Sequence, residues 1–149
     1  MPTMFTAVTH FCIWVTDQDE ALAFYVGKLG LDVHTDVRLD FMRWVTVGVP
    51  GASQPQIVLA PLALIDPENA DRARDLLSKG YTGNFILSTP DCRATYARLL
   101  AAGVEFTQEP VEHPYGIDCA ARDPFGNEVR IAEQGPAWPA RRSTPPRRP

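Results

Sequence analysis

Hydrophobic and polar positions follow the same order twice along the chain. Between Thr9 and Val33, and again between Gly83 and Phe106, an apolar-rich stretch leads to an aspartate, an amphipathic stretch and a glycine. Alternating apolar residues are typical of a strand, apolar residues three and four apart predict a helix, and Asp and Gly favour helix starts and ends. Each copy therefore predicts a strand, a helix that begins after an aspartate (Asp17 or Asp91) and a further strand after the glycine.

Three strand-like stretches follow each predicted helix. In the first copy they read LDVHTDVRL, FMRWVTVGV and PQIVLAPL, and in the second they read VEFTQEP, YGIDCAARD and NEVRIAEQ. The two copies align with an offset of 74 residues, which places Asp91 on Asp17. The pattern predicts an α+β fold built from two tandem βαβββ modules.

A shorter amphipathic segment separates the copies. It opens at Asp66-Pro67 and spaces Ala73, Leu76 and Leu77 as one face of a connecting helix. We therefore divide the chain into residues 1–62 as the first module, 63–82 as the connecting helix, 83–134 as the second module and 135–149 as a tail rich in proline and arginine. The tail has no apolar period, which predicts disorder.

Charge is distributed unevenly along the chain. The formal net charge is −4, but four arginines lie in the last nine residues, and the rest carries ten basic against 18 acidic side chains, a formal charge of −8. An acidic body repels phosphate backbones, so we expect no nucleic-acid partner. The three cysteines are widely spaced without a CxxC pattern, and the sequence shows neither a signal segment nor a long apolar run. These features predict a cytoplasmic, reduced protein with no membrane partner.

The sequence resembles the vicinal oxygen chelate superfamily, which includes glyoxalase I, extradiol dioxygenases, and fosfomycin and bleomycin resistance proteins. The resemblance rests on VTDQDEALAFYVGKLGLDV and DPFGNEVRI, and it extends from Ala7 to Glu133. It implies that the two modules form a curved mixed sheet around one shared cleft, and that the protein is a homodimer. The superfamily spans several reactions as well as plain binding, so the resemblance implies a fold and leaves the activity open.

The resemblance also implies where a metal site would lie. Metal enzymes of the superfamily place a ligand on the first and the last strand of each module, and the matching positions are His10, Val58, Asn84 and Arg130. Valine donates nothing, asparagine is a weak neutral ligand, and a guanidinium a few Å from a divalent ion costs several kcal/mol at an effective dielectric of about 20. We therefore expect no cofactor and a largely erased metal site, with Arg130 facing the cleft in place of a carboxylate.

Strand parity adds further candidates to this cleft. His10, Cys12 and Trp14 share one face of the first strand, and Asn84 and Ile86 share the matching face of the fifth. These polar and aromatic groups on an apolar floor suit a small organic ligand that is planar or anionic. The expected ligand-binding residues are His10, Cys12, Trp14, Val58, Asn84, Ile86 and Arg130.

Several of these residues have structural alternatives. Arg130 either contacts the ligand or forms an ion pair with Glu128 or another carboxylate. His10 is a possible acid/base catalyst, or a former metal ligand that a hydrogen bond satisfies. Cys12 is predicted to be inert, because strand side chains two residues apart lie about 6–7 Å from each other, too far for His10 to activate the thiol. Trp44 lines either the cleft or the helix side of the third strand; the sequence does not decide between them, and core packing is the default.

Three functions remain open. The first is a metal-independent binding protein of the resistance or sequestration kind, and the second is a metal-free isomerase or lyase that uses His10 as acid/base and Arg130 as a clamp. The third is a metal-dependent glyoxalase or dioxygenase, in which His10, Glu128 and His113 form a rewired site for a divalent metal. The loop that carries His113 and Tyr115 is predicted either to cover the cleft or to form a surface turn.

Overall fold

The computed structural model describes residues 3–136 of the chain. The first half contains β1 (His10–Val15), α1 (Gln18–Leu22) with a π-helical continuation (Ala23–Lys28), β2 (Asp32–Arg38), β3 (Arg43–Gly48) and β4 (Gln56–Pro61). The second half contains α2 (Leu62–Ile65), α3 (Ala70–Ser78), β5 (Asn84–Ser88), α4 (Cys92–Ala101), β6 (Glu105–His113), β7 (Gly116–Arg122) and β8 (Glu128–Gln134). Apart from residues 135 and 136, the predicted tail lies outside the described residues.

The strands form two four-stranded sheets, one in each half of the chain. Their strand orders are β1-β4-β3-β2 and β5-β8-β7-β6, so the second sheet repeats the order of the first. In the first sheet β1 runs parallel to β4, and the β2–β3 and β3–β4 pairs are antiparallel. The two mixed sheets with their few helices confirm the predicted α+β fold and the tandem modules.

The chain divides into two compact units that differ slightly from the two halves. Within residues 3–136, the first unit contains the residues up to Asn84 together with Arg122–Glu128, and the second contains Phe85–Ala121 together with the residues that follow Glu128. The turn between β7 and β8 is therefore a part of the first unit. Hydrogen bonds from this turn to residues of the first module explain why it belongs to that unit.

Asp123 organises that turn, which carries the DPFGN sequence. Its Oδ1 atom accepts the backbone N–H groups of Phe125, Gly126 and Asn127 at 2.8–2.9 Å. A carboxylate with three such donors holds the chain in one conformation, because every buried N–H of the turn finds a partner. The turn is thus a rigid start for β8.

The same aspartate ties the turn to the first module. Its Oδ2 atom accepts the hydroxyl of Tyr25 and the side-chain amide of Asn127, both at 2.7 Å. The Asn127 amide also donates to the carbonyl oxygen of Trp14 at 2.8 Å. Tyr25 is 0% exposed, so this bond lies inside the core of the first unit. The DPFGN sequence therefore has a structural role that its position far along the chain does not reveal.

The first sheet buries one of its faces. The side chains of Val15, Val45, Val47 and Leu59 are 0% exposed. They alternate with residues of the opposite face, as the two-residue period of a strand requires. Each buried aliphatic side chain of this kind contributes roughly 1.5–3 kcal/mol relative to an exposed one. The helix side of the sheet is thus the core, and the other side is available for a site.

The two long predicted helices begin and end where the sequence pattern places them. Asp17 and Asp91 each accept a backbone N–H of the first helical turn, at 2.9 and 3.0 Å. Gly30 and Gly103 follow the helices with φ of +77° and +87°. This left-handed region is accessible to glycine without a Cβ clash, which is why glycine ends both helices.

The connecting segment differs from its prediction. The sequence predicts a single helix after Asp66-Pro67, whereas the structure has a short α2 before that point and begins α3 only at Ala70. Between the two helices Asp66 stabilises a turn, because its carboxylate accepts a hydrogen bond from the side-chain amide of Asn69 at 2.9 Å. On α3, Leu77 is fully buried but Leu76 is 49% exposed, so the apolar face is narrower than predicted.

Candidate functional site

The face of the first sheet opposite the core carries the predicted ligand-binding residues of that module. Cys12 lies opposite Val58 on β4, and Val58 lies opposite Thr46 on β3. Opposed residues project to the same side of a sheet, and so do residues two apart on one strand. We call this side the open face and define it by His10, Cys12, Trp14, Trp44, Thr46 and Val58.

Three aromatic rings stand on the open face. Trp14 is 37% exposed, His10 is exposed and Trp44 is half-buried. The ring centroids of His10 and Trp44 are 6.3 Å apart, with 52° between the ring planes. His10 Nδ1 lies 3.0 Å from the hydroxyl of Thr9, so a hydrogen bond satisfies one side of the imidazole. The rings offer flat, partly solvated surfaces on one side of a sheet.

The sequence leaves the face of Trp44 undecided, with core packing as the default. The structure places it on the open face rather than in the core predicted by default. The alternation of Phe41 to Val45 shows that Trp44 and Val45 face opposite ways, but it does not show which way either one faces. The register of Thr46 against Val58 decides it.

The sheet surface between the rings, which we call the floor, is formed by buried side chains. Val58 is 3% exposed and Thr46 is 0% exposed. The Thr46 hydroxyl donates to Gln56 Oε1 at 2.7 Å, which leaves the floor without an unsatisfied polar group at that point. Cys12 is exposed beside Val58. A ligand on this face would therefore meet rings and a thiol above a well-packed apolar and hydroxyl surface.

Arg130 forms an ion pair on the second sheet. Its Nη2 atom lies 3.0 Å from Asp118 Oδ2 on β7, and the same atom donates to Gln108 Oε1 at 3.0 Å. The side chains of Arg130 and Asp118 are only 25% and 12% exposed. The structure shows an ion pair, one of the two roles that the sequence left open, and its partner is a carboxylate on the neighbouring strand. Contact of Arg130 with a ligand stays a prediction.

Asp118 is the centre of a wider polar cluster. Its Oδ1 atom accepts from Gln108 Nε2 at 3.0 Å and lies 3.1 Å from His113 Nε2. Burial by itself raises the pKa of Asp118, but the hydrogen bonds from Arg130 and Gln108 and the guanidinium charge outweigh it and hold the pKa below its ordinary value. The His113 ring in turn stacks on Tyr115, with centroids 4.7 Å apart and planes within 7°.

The sequence interpretation did not find this cluster. It placed His113 and Tyr115 in a lid or a surface turn, named His113 also as a possible ligand of a rewired metal site, and did not single out Asp118 or Gln108. Strand parity gives the face of each residue but not its cross-strand partner. The sequence contains one indication of the cluster. An arginine that faces the inside of a sheet requires a carboxylate nearby.

The two remaining predicted residues lie on β5. Asn84 donates its side-chain amide to Glu128 Oε2 at 2.7 Å. Ile86, two residues on, is 59% exposed. Asn84 is therefore oriented by a carboxylate, whereas Ile86 presents an apolar side chain to solvent.

The groups at the four positions that the sequence resemblance assigns to a metal are poor ligands as they stand. His10 supplies an imidazole, Val58 supplies no donor atom, the Asn84 amide donates to a carboxylate, and Arg130 is a cation. Within residues 3–136, no three His, Cys, Asp or Glu side chains are grouped so that they could hold one ion. That the protein works without a metal stays a prediction, and so does the rewired set of His10, Glu128 and His113.

A separate cavity of about 470 Å³ lies at one end of the first sheet. Its lining includes Asp19 and Arg43, and none of the predicted site residues contributes to it. Arg43 is already bound by Asp19 at 2.7 Å and by Asp36 at 2.8 Å. The charge of Arg43 is thus matched by two carboxylates.

A helix that crosses a membrane must be both long and apolar. In the described part of the chain, no helix has both the length and the apolar character that a bilayer crossing requires.

Comparisons with known proteins agree with this architecture. Residues 7–131 match the model of the Glyoxalase/Bleomycin resistance protein/Dioxygenase superfamily. An uncharacterized protein of Shewanella frigidimarina (strain NCIMB 400) is 32% identical over 123 residues, which cover 81% of this chain and 88% of the relative.

Two solved structures share both the fold and part of the sequence. UcmS2 is 40% identical with a TM-score of 0.83, and the match covers 87% of this chain and 98% of UcmS2. TnmS3, an antibiotic binding protein from Streptomyces sp. CB03234, is 26% identical with a TM-score of 0.71, over 90% of this chain and 100% of TnmS3. Because the family model spans most of the chain and the strand order repeats in both sheets, the protein belongs to the Glyoxalase/Bleomycin resistance protein/Dioxygenase superfamily.

Proposed function

We propose that the protein binds a small planar aromatic molecule on the open face of the first sheet and needs no metal to do so. The observation that carries this proposal is the set of rings on that face, His10, Trp14 and Trp44, above the closed floor of Val58 and Thr46. Exposed indole rings on the solvent side of a sheet gain by stacking on a flat ligand, and each ring pair contributes about 0.5–1.5 kcal/mol beyond its buried area.

The ion pair of Arg130 bears on the charge expected of the ligand. The sequence predicts that this arginine receives an anionic group of the ligand. Its charge is matched by Asp118 at 3.0 Å, which weakens the net attraction of this position for an anion. The proposal is therefore a planar ligand, with no requirement for a negative charge.

The donor chemistry at the family metal positions supports binding without a metal. A divalent ion needs several oxygen, nitrogen or sulfur donors, usually with negative charge among them. Val58 offers none, and Arg130 adds a positive charge at the position where metal enzymes of the superfamily carry a carboxylate. No step of the proposed function passes through a metal.

The similarity to TnmS3 supports the kind of ligand. TnmS3 is an antibiotic binding protein, and its match covers 90% of this chain with a TM-score of 0.71. We infer that the molecule bound by this chain is an aromatic antibiotic or a compound of similar shape. Binding without chemistry would serve to sequester such a compound.

Tryptophan fluorescence tests the proposal directly. The chain has three tryptophans, and Trp138 lies outside the described residues, so Trp138→Phe leaves Trp14 and Trp44 as reporters. We expect a planar aromatic antibiotic, such as daunorubicin, to quench this variant saturably, and the non-aromatic kanamycin to have no effect. Absence of saturable quenching by every planar compound would reject the proposal.

Single substitutions locate the site. Trp14→Leu and Trp44→Leu should each weaken binding, measured by calorimetry, by roughly three- to tenfold, since each removes about one ring contact. Tyr81→Leu is the matched control, because Tyr81 is a 75% exposed ring outside the open face. If Tyr81→Leu has the same effect as the tryptophan variants, the binding is non-specific.

Metal analysis of protein purified without an affinity tag tests the second part. We expect less than about a tenth of an equivalent of any transition metal per chain, because the donor set at the family positions is too poor to retain one. One equivalent of zinc, iron, nickel or manganese, lost in His10→Ala, would support a rewired metalloenzyme instead.

A further inference from the structure

His113 is held in one orientation by two neighbours in the second unit. Its Nε2 atom lies 3.1 Å from Asp118 Oδ1, and its ring plane is parallel within 7° to that of Tyr115, with centroids 4.7 Å apart. Asp118 is itself only 9% exposed and is fixed by Arg130 and Gln108. The imidazole is therefore locked by a hydrogen bond at one edge and by a ring on one face.

This arrangement decides which ring nitrogen of His113 carries the proton. Three donors converge on the Asp118 carboxylate, from Arg130, Gln108 and His113, and a carboxylate surrounded by donors is ionised and only accepts. Nε2 of the neutral imidazole must then be the protonated nitrogen. Nδ1 is left with its lone pair, as a hydrogen-bond acceptor.

The accepting nitrogen is open to a partner. Nδ1 lies across the ring from Nε2 and so points away from Asp118. Within residues 3–136 no group is hydrogen-bonded to it, and the His113 side chain is 31% exposed. A neutral acceptor on an exposed ring edge, with its orientation fixed in advance, loses little entropy when it binds a donor.

We propose that His113 Nδ1 is a binding site for the hydroxyl group of a phenol or an enol, with the Tyr115 ring as a support that keeps the imidazole in place. An acidic O–H is the donor that suits a neutral imidazole nitrogen, whereas a carboxylate would face a lone pair and the nearby charge of Asp118. This site belongs to the second unit and is distinct from the open face. The residues that define the open face belong to the first unit.

Nuclear magnetic resonance of the full chain tests the assignment first. Long-range proton–nitrogen spectra separate the two neutral tautomers of each imidazole, and the chain has three histidines. We expect His113 alone to be locked as the Nε2–H form at pH 7.5, and Asp118→Asn to release it into a mixture. A mixture at His113 in the unmodified protein overturns the proposal.

A pair of small neutral probes then tests binding. We expect 4-hydroxybenzamide to shift the Nδ1 signal of His113 saturably, and benzamide, which lacks the hydroxyl, to bind roughly three- to tenfold more weakly, the range of one net hydrogen bond. His10 and His34 serve as internal controls in the same spectra. His113→Phe keeps a ring on Tyr115 and should abolish the preference for the hydroxylated probe.

The outcomes separate this inference from the proposed function. Equal affinities for the two probes, a shift at His10 or His34 instead of His113, or a preference that survives in His113→Phe would each overturn the His113 site. None of these results bears on quenching of Trp14 and Trp44 by planar antibiotics. Failure of that quenching would reject the open-face proposal and leave the His113 result standing.

Discussion

Arg130 and Asp118 are joined by a 3.0 Å ion pair between the neighbouring strands β8 and β7. The sequence resemblance implies that Arg130 stands where metal enzymes of the superfamily carry a carboxylate, and the pair places a carboxylate one strand away. Both charged side chains are mostly buried, and each charge offsets the free-energy cost of burying the other.

Removing one member of the pair should destabilise the protein more than removing both. Arg130→Met leaves the Asp118 carboxylate without its cation, and Asp118→Asn leaves the guanidinium without its anion. We expect each change to cost about 2 kcal/mol, and the double variant to cost clearly less than the sum. Urea unfolding of the four proteins measures these values. Strict additivity would show that the contact is not coupled energetically.

The free energy of unfolding should also depend on pH, because of this ion pair. The pKa of Asp118 is lowered in the folded protein because the hydrogen bonds and charge of Arg130 and the bond from Gln108 outweigh the effect of burial. A lowered pKa contributes stability that is present above the unfolded value of about 4 and is lost as the pH falls through the folded value.

Thermal melts between pH 6 and pH 2.5 test this sign. The difference in melting temperature between the unmodified protein and Arg130→Met should be largest above about pH 5 and should shrink below about pH 4. Asp36 is paired with Arg43 in both proteins, so its own lowered pKa cancels in the comparison. A difference that is constant with pH would contradict the prediction.

The bond between Tyr25 and Asp123 should stabilise the first unit. Burial, and then the charge of Asp123, raise the pKa of Tyr25 far above its ordinary value, so its hydroxyl stays protonated and donates. Tyr25→Phe removes one of the donors to that carboxylate and should cost about 1–2 kcal/mol, while Asp123→Ala leaves several donors unsatisfied and should cost more.

Chemical denaturation measures both changes. Tyr81→Phe is the control for the loss of a hydroxyl at an exposed ring and should have almost no effect. If Asp123→Ala cost no more than Tyr25→Phe, the turn would not depend on its aspartate for the N–H groups of residues 125–127.

The three cysteines should differ sharply in reactivity. Cys12 is exposed, whereas Cys92 and Cys119 are 0% exposed and their Sγ atoms lie 3.6 Å apart. Burial raises the pKa of both buried thiols, and burial together with the bond to Cys92 raises the pKa of Cys119 to about 12. Since the thiolate is the reactive form, both should resist a thiol reagent.

Titration with 5,5′-dithiobis(2-nitrobenzoic acid) at pH 8 measures the difference. We expect one fast thiol per folded chain and three thiols after denaturation, because the sequence contains three cysteines. In Cys12→Ser the fast reaction should disappear. Fast reaction of a second thiol in the folded protein would show that the second unit opens readily.

The sequence by itself determined the order of the elements and the faces of most strands. Two copies of one pattern placed eight strands, and the aspartates before α1 and α4 begin those helices as predicted. Such features are local, since a strand period, a helix cap and a left-handed glycine each depend on a few neighbouring residues.

Only the tertiary structure decided which side chains meet. Trp44 joins His10 because of the register of β3 against β4, and Arg130 meets Asp118 across strands that are separated by the DPFGN turn. Asp123 reaches back to Tyr25, almost a hundred residues earlier in the chain. Periodicity gives the face of a residue but not its partner, because pairing depends on register and on the packing of distant segments, which no local pattern encodes.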